Sequence, residues 1–333
     1  MFRIDRNLTT DDLDKDLRRD VSEGLTSRPR QLPPKWFYDA HGSALFEDIT
    51  RLPEYYPTRA ERAILERHAD EIAEAADAET LIELGSGSGI KTRLLLDAMR
   101  RHGRLTRFVP ADVSGDFLAD SAARSAEDFP DIDVHAVVCD FEKHLDLLPL
   151  GEDDGPRLVA VLGSTIGNQD PRQRAVFLRE IRTILRVGDG LLLGVDLVKD
   201  PARLVAAYDD AQGVTAAFNR NVLSVINREL GADFDPMAFD HLAIWNADEE
   251  WIEMRLRARD RMRVNVDALD LAVDFVPGEE MRTEVSAKFR REGLGDELEA
   301  AGFAPGPWWT DPDDDFALTL AEAVRAPSEL RYG

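Results

Sequence analysis

Apolar and polar positions change their rhythm twice along this chain. Between residues 80 and 197, short apolar runs alternate with stretches of helical period. The runs lie at residues 81–84, 108–113, 135–141, 158–163 and 191–197, with helical patterns between them, for instance at 92–99 and 175–185. Unbroken apolar runs of this length, separated by helices, predict strands buried on both faces, hence a parallel sheet. Right-handed crossovers make such a sheet doubly wound. Two helix starts are marked. Thr58 and Glu61 have capping-box spacing ahead of Ile64, Leu65, His68 and Ile72. Asp170 can cap the later helix, Pro171 suits its first position and Gln173 completes the box.

Outside that stretch the alternation stops. The first 35 residues read as a charged helical start followed by a turn-rich stretch around Pro29, Pro33 and Pro34. Trp36, Phe37, Tyr38, Phe46, Tyr55 and Tyr56 then form an aromatic cluster. After about residue 198 comes a helical region over 201–229 carrying Tyr208, Phe218 and Asn219. In residues 251–256, Ile252, Met254 and Leu256 alternate with Glu253 and Arg255, the pattern of a strand with one solvated face. A further strand-like run spans 269–275, and the tail around Phe303, Trp308, Trp309 and 316–320 predicts a strand pair returning to the sheet. The expected organisation is therefore an α/β doubly wound domain, residues 61–198 and 288–333, with an inserted α+β domain made of residues 1–60 and 199–287.

The strongest chemical signal is Glu83-Leu84-Gly85-Ser86-Gly87-Ser88-Gly89, at the end of the first strand of this sheet and opening a helix. Glycines allow close backbone approach and positive φ, and the helix start offers unpaired N–H groups. A dinucleotide loop would carry a sixth-position glycine where Ile90 stands, and a phosphate loop would join Lys91-Thr92 directly to its glycine. Glu-x-Gly-x-Gly-x-Gly instead resembles the first motif of class I S-adenosylmethionine-dependent methyltransferases. Asp112 ends the second strand, where a carboxylate can accept both ribose hydroxyls. Asp140-Phe141 ends the third, where the acid can accept from an adenine amino group and the next N–H can donate to the ring. The alternative for each acid is an ordinary strand-end residue, and the coincidence of both with the glycine loop speaks against it.

Composition narrows the class. The 41 basic and 65 acidic residues give a net charge of −24, which disfavours phosphate backbones and anionic lipids, so neither nucleic acid nor membrane is an expected partner. The longest apolar runs fall well short of a membrane span. A charged N-terminus lacks a signal-peptide core, and the single Cys139 suits a reducing cytoplasm. Six histidines in no metal-ligand spacing make a metal unexpected.

The segments LPPKWFYDAHGSALFEDITRLPEYYPTR, LIELGSGSGIKTRLLLDAM, GSTIGN, LLLGVDLVKD, YDDAQGVTAAFNRNVL, EMRTEVSAKF and WWTDP together resemble the histidine Nα-methyltransferases of ergothioneine biosynthesis, over about residues 20–320. The resemblance implies three successive methylations of the α-amino group of L-histidine to hercynine, with S-adenosylmethionine as co-substrate; separately, a monomer is the expected state. It implies that Gly85, Ser86, Gly87, Lys91, Asp112, Asp140 and Phe141 hold the donor. For the amino acid it nominates Tyr55, Phe46, Asn168, Tyr208, Met254, Glu284 and Ser286, with Tyr38, Asn168 and Gly163 as the catalytic candidates. Two local departures are the Ser-Gly-Ile stretch before Lys91, where bulkier or acidic residues are expected, and an extra acidic stretch at 151–155, expected as a surface loop.

In that reading Asn168 and Tyr208 hold the carboxylate and amino ends through neutral hydrogen bonds, because a fixed carboxylate on the amine would favour its unreactive protonated form. Glu284 and Ser286 take the imidazole N–H and Tyr55 meets the other side of the ring. Without the resemblance, Glu284 reads as a solvated strand residue, Tyr55 and Tyr208 as packing, and Asn168 as a turn residue. Three alternatives stand beside it: a donor-binding protein without catalysis, a nicotinamide-dependent oxidoreductase, and an N-methyltransferase of another amino acid or small amine.

Overall fold

The computed structural model describes residues 2–87, 89–151 and 154–325, so Ser88 of the glycine motif, Glu152 and Asp153 of the acidic stretch and the last eight positions lie outside the described residues. The chain forms two compact units, one from residues 1–8, 57–198 and 289–333 and one from residues 9–56 and 199–288.

The first unit is built on an eight-stranded sheet. Its order is Phe2–Arg6, Asp133–Val138, Arg107–Asp112, Thr80–Leu84, Arg157–Val161, Gly190–Asp196, Phe316–Ala323 and Phe303–Thr310. All pairings from Phe2–Arg6 to Gly190–Asp196 are parallel, and Phe316–Ala323 runs antiparallel to both its neighbours. The five apolar runs become the five central parallel strands. Thr80–Leu84, Arg157–Val161 and Gly190–Asp196 are buried along their whole length, as a doubly covered sheet requires. After Thr80–Leu84 the chain winds outward through two strands and then returns to pair Arg157–Val161 on the other side of the first. That reversal is the switch point where crevices open at the carboxyl ends of the strands.

Two expectations about this unit are corrected. Residues 1–60 do not stay together: Phe2–Arg6 is a strand, not part of a helical start, and it extends the parallel sheet beside Asp133–Val138. Its charged residues Arg3 and Asp5 face Asp133 and His135 at 2.7 and 2.8 Å, which is why its sequence does not look like a buried strand. Nor does Glu61 close a capping box with Thr58. The helix Pro57–Ala76 starts at a proline and Glu61 is buried within it. The helix Pro171–Ile184, by contrast, carries the expected box, with Asp170 accepting from Gln173 N at 2.9 Å and Gln173 accepting from Asp170 N at 2.9 Å.

In the second unit the sheet order is Arg30–Gln31, Glu280–Ala287, Trp251–Ala258 and Phe239–Asn246, beside a hairpin of Met262–Val266 and Leu271–Phe275. The helices Thr10–Thr26, Ala40–Ile49, Pro201–Tyr208 and Val214–Leu230 belong to the same unit. Its core joins Leu25, Phe37, Phe218, Val222, Ile226, Phe239, Leu256 and Phe275. The single helical region expected over 201–229 is two helices. Asp210 takes the N–H groups of Gln212, Val214 and Thr215, and Gly213 at φ 75° turns the chain into the second helix. Among the described residues, no helix is long and apolar enough to cross a membrane.

Candidate active site

In the first unit the site residues gather at the carboxyl ends of four adjacent strands. Gly85, Gly87 and Gly89 have φ of 77°, 51° and 70°, a region that only glycine occupies without strain. A Cβ on Gly85 would stand 3.7 Å from the Phe141 ring, and one on Gly87 would meet nothing within 4 Å. The loop thus presents bare backbone to open space, next to the N-terminus of the helix Ile90–His102.

Acids fix this loop from two sides. Glu83, at the strand end, accepts from Ser86 Oγ at 2.6 Å and from Thr92 Oγ1, tying strand, loop and helix together. Burial pushes the Glu83 carboxyl up to about 7, against the pull of the Ser86 and Thr92 hydrogen bonds and of Lys91. Asp112 accepts from Gly87 N through Oδ2 at 3.1 Å and from Ser114 N through Oδ1 at 2.9 Å. Burial raises its pKa while those N–H groups lower it. Each Asp112 oxygen keeps lone-pair capacity beyond these bonds, which suits a pair of neighbouring hydroxyls. Asp140 accepts from Glu142 N at 3.2 Å and pairs with Lys143 at 3.2 Å, and Phe141 lies 6.0 Å from the Phe177 ring.

Lys91 and Gly163 are brought together by a residue that sequence reasoning placed elsewhere. Glu61 is fully buried, pairs with Lys91 through Oε2 and accepts from Gly163 N through Oε1 at 2.7 Å. Gly163 has φ 73°, and a Cβ there would stand 3.4 Å from Lys91 Nζ. The available signal was an acid on the apolar stripe of a helix, three and four positions before Ile64 and Leu65. Asn168 ends the 3₁₀ turn Thr165–Asn168 in the loop that follows Arg157–Val161, half-buried. Burial, with help from Asp140 and Asp112, pushes the Cys139 thiol up to about 12, so it is no nucleophile near neutrality. Among the described residues, one group of acids has metal-ligand proximity: Asp311, Asp313 and Asp315. There Asp311 is already engaged by the N–H groups of Asp313, Asp315 and Phe316.

The second unit assembles the remaining nominated residues. Tyr38 meets Phe46 edge-on at 5.6 Å, Phe46 meets Tyr55 at 6.2 Å, and Tyr55 meets Tyr208 at 6.2 Å. Phe218, from Val214–Leu230, backs Tyr38 and Phe46. Met254 and Glu284 are direct partners in the antiparallel pair, as are Ile252 and Ser286, so these four project from one face. Met254 is buried and Glu284 half-buried. Tyr208 Oη and Ser286 Oγ lie 2.7 Å apart, and buried Lys288, which was not foreseen, donates to both at 3.0 and 2.8 Å. Its signal was a lysine continuing the alternation of Glu284 and Ser286.

The backbone of Tyr208 is held in turn. His241 Nε2 contacts its carbonyl oxygen at 2.8 Å, while Asn219 Nδ2 donates to His241 Nδ1 at 2.8 Å. That arrangement requires a neutral imidazole, and burial lowers the His241 pKa accordingly. Asn219 Oδ1 also accepts from Thr283 Oγ1 at 2.6 Å, which fixes the strand carrying Glu284 and Ser286.

Comparison with known proteins gives a consistent answer. The family described as histidine-specific methyltransferase, SAM-dependent, matches residues 17–323. The chain is 59% identical over 314 residues to the histidine N-alpha-methyltransferase of Mycolicibacterium smegmatis, covering 94% of this chain and 97% of that one. It is 59% identical over 305 residues to the enzyme of the same name from Mycobacterium tuberculosis, covering 92% and 94%. Ergothioneine biosynthesis protein 1 of Neurospora crassa is 36% identical over 205 residues, which is 61% of this chain and 23% of that protein.

Proposed function

Because the chain belongs to the histidine-specific, S-adenosylmethionine-dependent methyltransferase family, we propose that it methylates the α-amino nitrogen of L-histidine three times, giving hercynine as the first step of ergothioneine biosynthesis. The observation that carries this reading is 59% identity to a histidine N-alpha-methyltransferase across nearly the whole of both chains.

The donor residues suit the task. Gly85 and Gly87 let the ligand approach the backbone, and Asp112 takes the two ribose hydroxyls on its remaining lone pairs. Asp140 and Phe141 take the adenine. Lys91, held by Glu61, and Ser86, held by Glu83, complete this side. The bound donor supplies a methyl group already activated on a sulfonium. What remains for the protein is to hold a neutral amine in line with that methyl, and alignment of this kind can lower a barrier by up to about 7–11 kcal/mol.

The amino-acid residues suit that demand too. Asn168 and Tyr208 are neutral hydrogen-bonding groups, so they hold the amino acid's polar end without favouring an ammonium. Gly163 and Asn168 of the first unit and Tyr38 of the second are the catalytic candidates. Phe46, Tyr55 and Met254 line the pocket. Glu284 accepts the ring N–H, so the imidazole is anchored while the amine turns between transfers. This chemistry needs no metal, and the single buried cysteine suits a reducing cytoplasm.

The second reading, an N-methyltransferase of another amino acid, shares the whole donor side and is separated by substrate choice. Purified protein incubated with labelled donor and each amino acid in turn should label histidine well above all others. Preferential labelling of tryptophan or phenylalanine would replace the histidine reading with the second one.

A further inference from the structure

Resting on the donor assignment above, we propose that Glu61 is a positioning residue of the donor site: anchored on the backbone of Gly163, its carboxylate presents the Lys91 ammonium to the amino-acid end of the bound donor.

The carboxylate sits in a slot made by two missing side chains. Glu61 is fully buried on the helix Pro57–Ala76. A Cβ on Gly194, inside the buried strand Gly190–Asp196, would collide with Glu61 Oε1. A Cβ on Gly163 would stand 3.4 Å from Lys91 Nζ. The first glycine thus leaves room for the carboxylate and the second for the ammonium. Glu61 Oε1 accepts from Gly163 N at 2.7 Å, and Oε2 pairs with Lys91. A carboxylate accepts on both sides, whereas an amide would turn its NH2 toward one of these two donors. Stability is a weak reason for such a pair, because apolar residues of similar volume often fill a buried site equally well.

Sheet order relates the pair to the donor. Neighbouring strands run Asp133–Val138, Arg107–Asp112, Thr80–Leu84 and Arg157–Val161. Asp140 and Asp112, assigned to adenine and ribose, stand at the ends of the first two. The glycine loop follows the third and Gly163 the fourth. A donor with its adenosine on the two acids therefore crosses the glycine loop and brings its amino-acid end toward Gly163 and Lys91. That end carries a carboxylate. Among the described residues the hydrogen bonds of Lys91 Nζ go to Glu61 alone, and the lysine side chain is 24% exposed. An ammonium has three donors, so Lys91 can keep Glu61 behind it and take the ligand carboxylate in front.

The test compares two ligands that share the adenosine end: S-adenosylhomocysteine carries the amino-acid end and 5′-methylthioadenosine lacks it. Dissociation constants for both are measured calorimetrically in wild type and variants. Glu61→Gln keeps an acceptor for Gly163 N and turns its amide nitrogen toward Lys91. There the preference for S-adenosylhomocysteine should fall roughly tenfold, as loss of one charge-assisted hydrogen bond dictates, while 5′-methylthioadenosine keeps its affinity. Lys91→Met should lower the preference likewise, and adding Glu61→Gln to it should change nothing more. Gly194→Ala pushes the carboxylate out of its slot without altering either charge. It should lower the preference too, and it serves if Glu61→Gln does not fold. A merely structural Glu61 would weaken both ligands by one factor, and an unchanged preference in whichever variant folds overturns the proposal. A further fall in the double variant also overturns it, since Glu61 would then act without Lys91. Wild type that binds neither ligand would overturn the donor assignment instead.

Discussion

Deleting the Asp112 carboxylate tests the donor side most sharply, provided that loss of the ligand contact is separated from loosening of the loop. In the free protein its two oxygens take Gly87 N at 3.1 Å and Ser114 N at 2.9 Å. Asp112→Ala orphans both N–H groups, and the glycine loop loses its side-chain tie to the neighbouring strand while Gly85 N and Ser86 N still donate to Ala111 O. That alone weakens any ligand of the loop. The ribose contribution is a second effect. Two charge-assisted bonds, each made in exchange for water, should together give about 2–3 kcal/mol, or roughly 30- to 150-fold in affinity. A double cycle isolates it: S-adenosylhomocysteine and its 2′,3′-dideoxy analogue, each titrated calorimetrically into wild type and Asp112→Ala. Burial raises the Asp112 pKa, so the titrations are run on the alkaline side of neutrality, which favours the charged carboxylate. The dideoxy analogue should bind weakly to wild type and nearly as well as the parent compound to the variant, with a coupling of about 2 kcal/mol. A coupling below about 0.5 kcal/mol, with both proteins folded, would mean that the ribose lies elsewhere.

Three further outcomes follow from the same geometry. Glu83 titrates near 7 in the folded protein against an ordinary 4.5, so its protonated form stabilises the fold below about pH 4.5 and that contribution fades as pH rises through about 7. The stability of wild type relative to Glu83→Gln, measured by urea unfolding from pH 5 to 8, should therefore fall with pH, by at most about 3 kcal/mol, and a flat difference would contradict it. Glu61→Ala should cost about 2–4 kcal/mol by leaving Lys91 and Gly163 N unpaired. Glu61→Gln, which still accepts from Gly163, should cost clearly less, and equal losses would show that the bond to Gly163 contributes nothing. Glu284→Ala should lower kcat/KM for histidine roughly tenfold or more while leaving phenylalanine and tryptophan little changed. A uniform fall for all three substrates would make Glu284 structural.

Much of the fold was legible because burial on both faces leaves a plain mark. The runs at 81–84, 158–163 and 191–197 contain almost nothing that water would stabilise, and each became a central strand. The strand Phe2–Arg6 escaped notice because an edge strand can carry Arg3 and Asp5, paired with Asp133 and His135 on its neighbour. Strand Phe239–Asn246 shows half-buried positions along most of its length, so no alternation announced it. Asp112 and Asp140 could be found by their places at strand ends. Glu61 and Lys288 left only a local pattern, because the partners that give them a role, Lys91 and Gly163 in one case and Tyr208 in the other, are distant in sequence and meet only in the fold. Glu61 moreover satisfied a capping-box spacing, a local rule that its burial overrode.

The central claim is that the α-amino nitrogen of L-histidine receives all three methyl groups. A time course with L-histidine and excess S-adenosylmethionine, read by mass spectrometry with fragmentation that separates the ring from the amine, tests it directly. Mono-, di- and trimethylated species should appear in that order and end at the betaine, with every methyl on the α-nitrogen and none on the ring. A product methylated on a ring nitrogen, or a reaction that stops at unmodified histidine while another amine is methylated, would contradict the account.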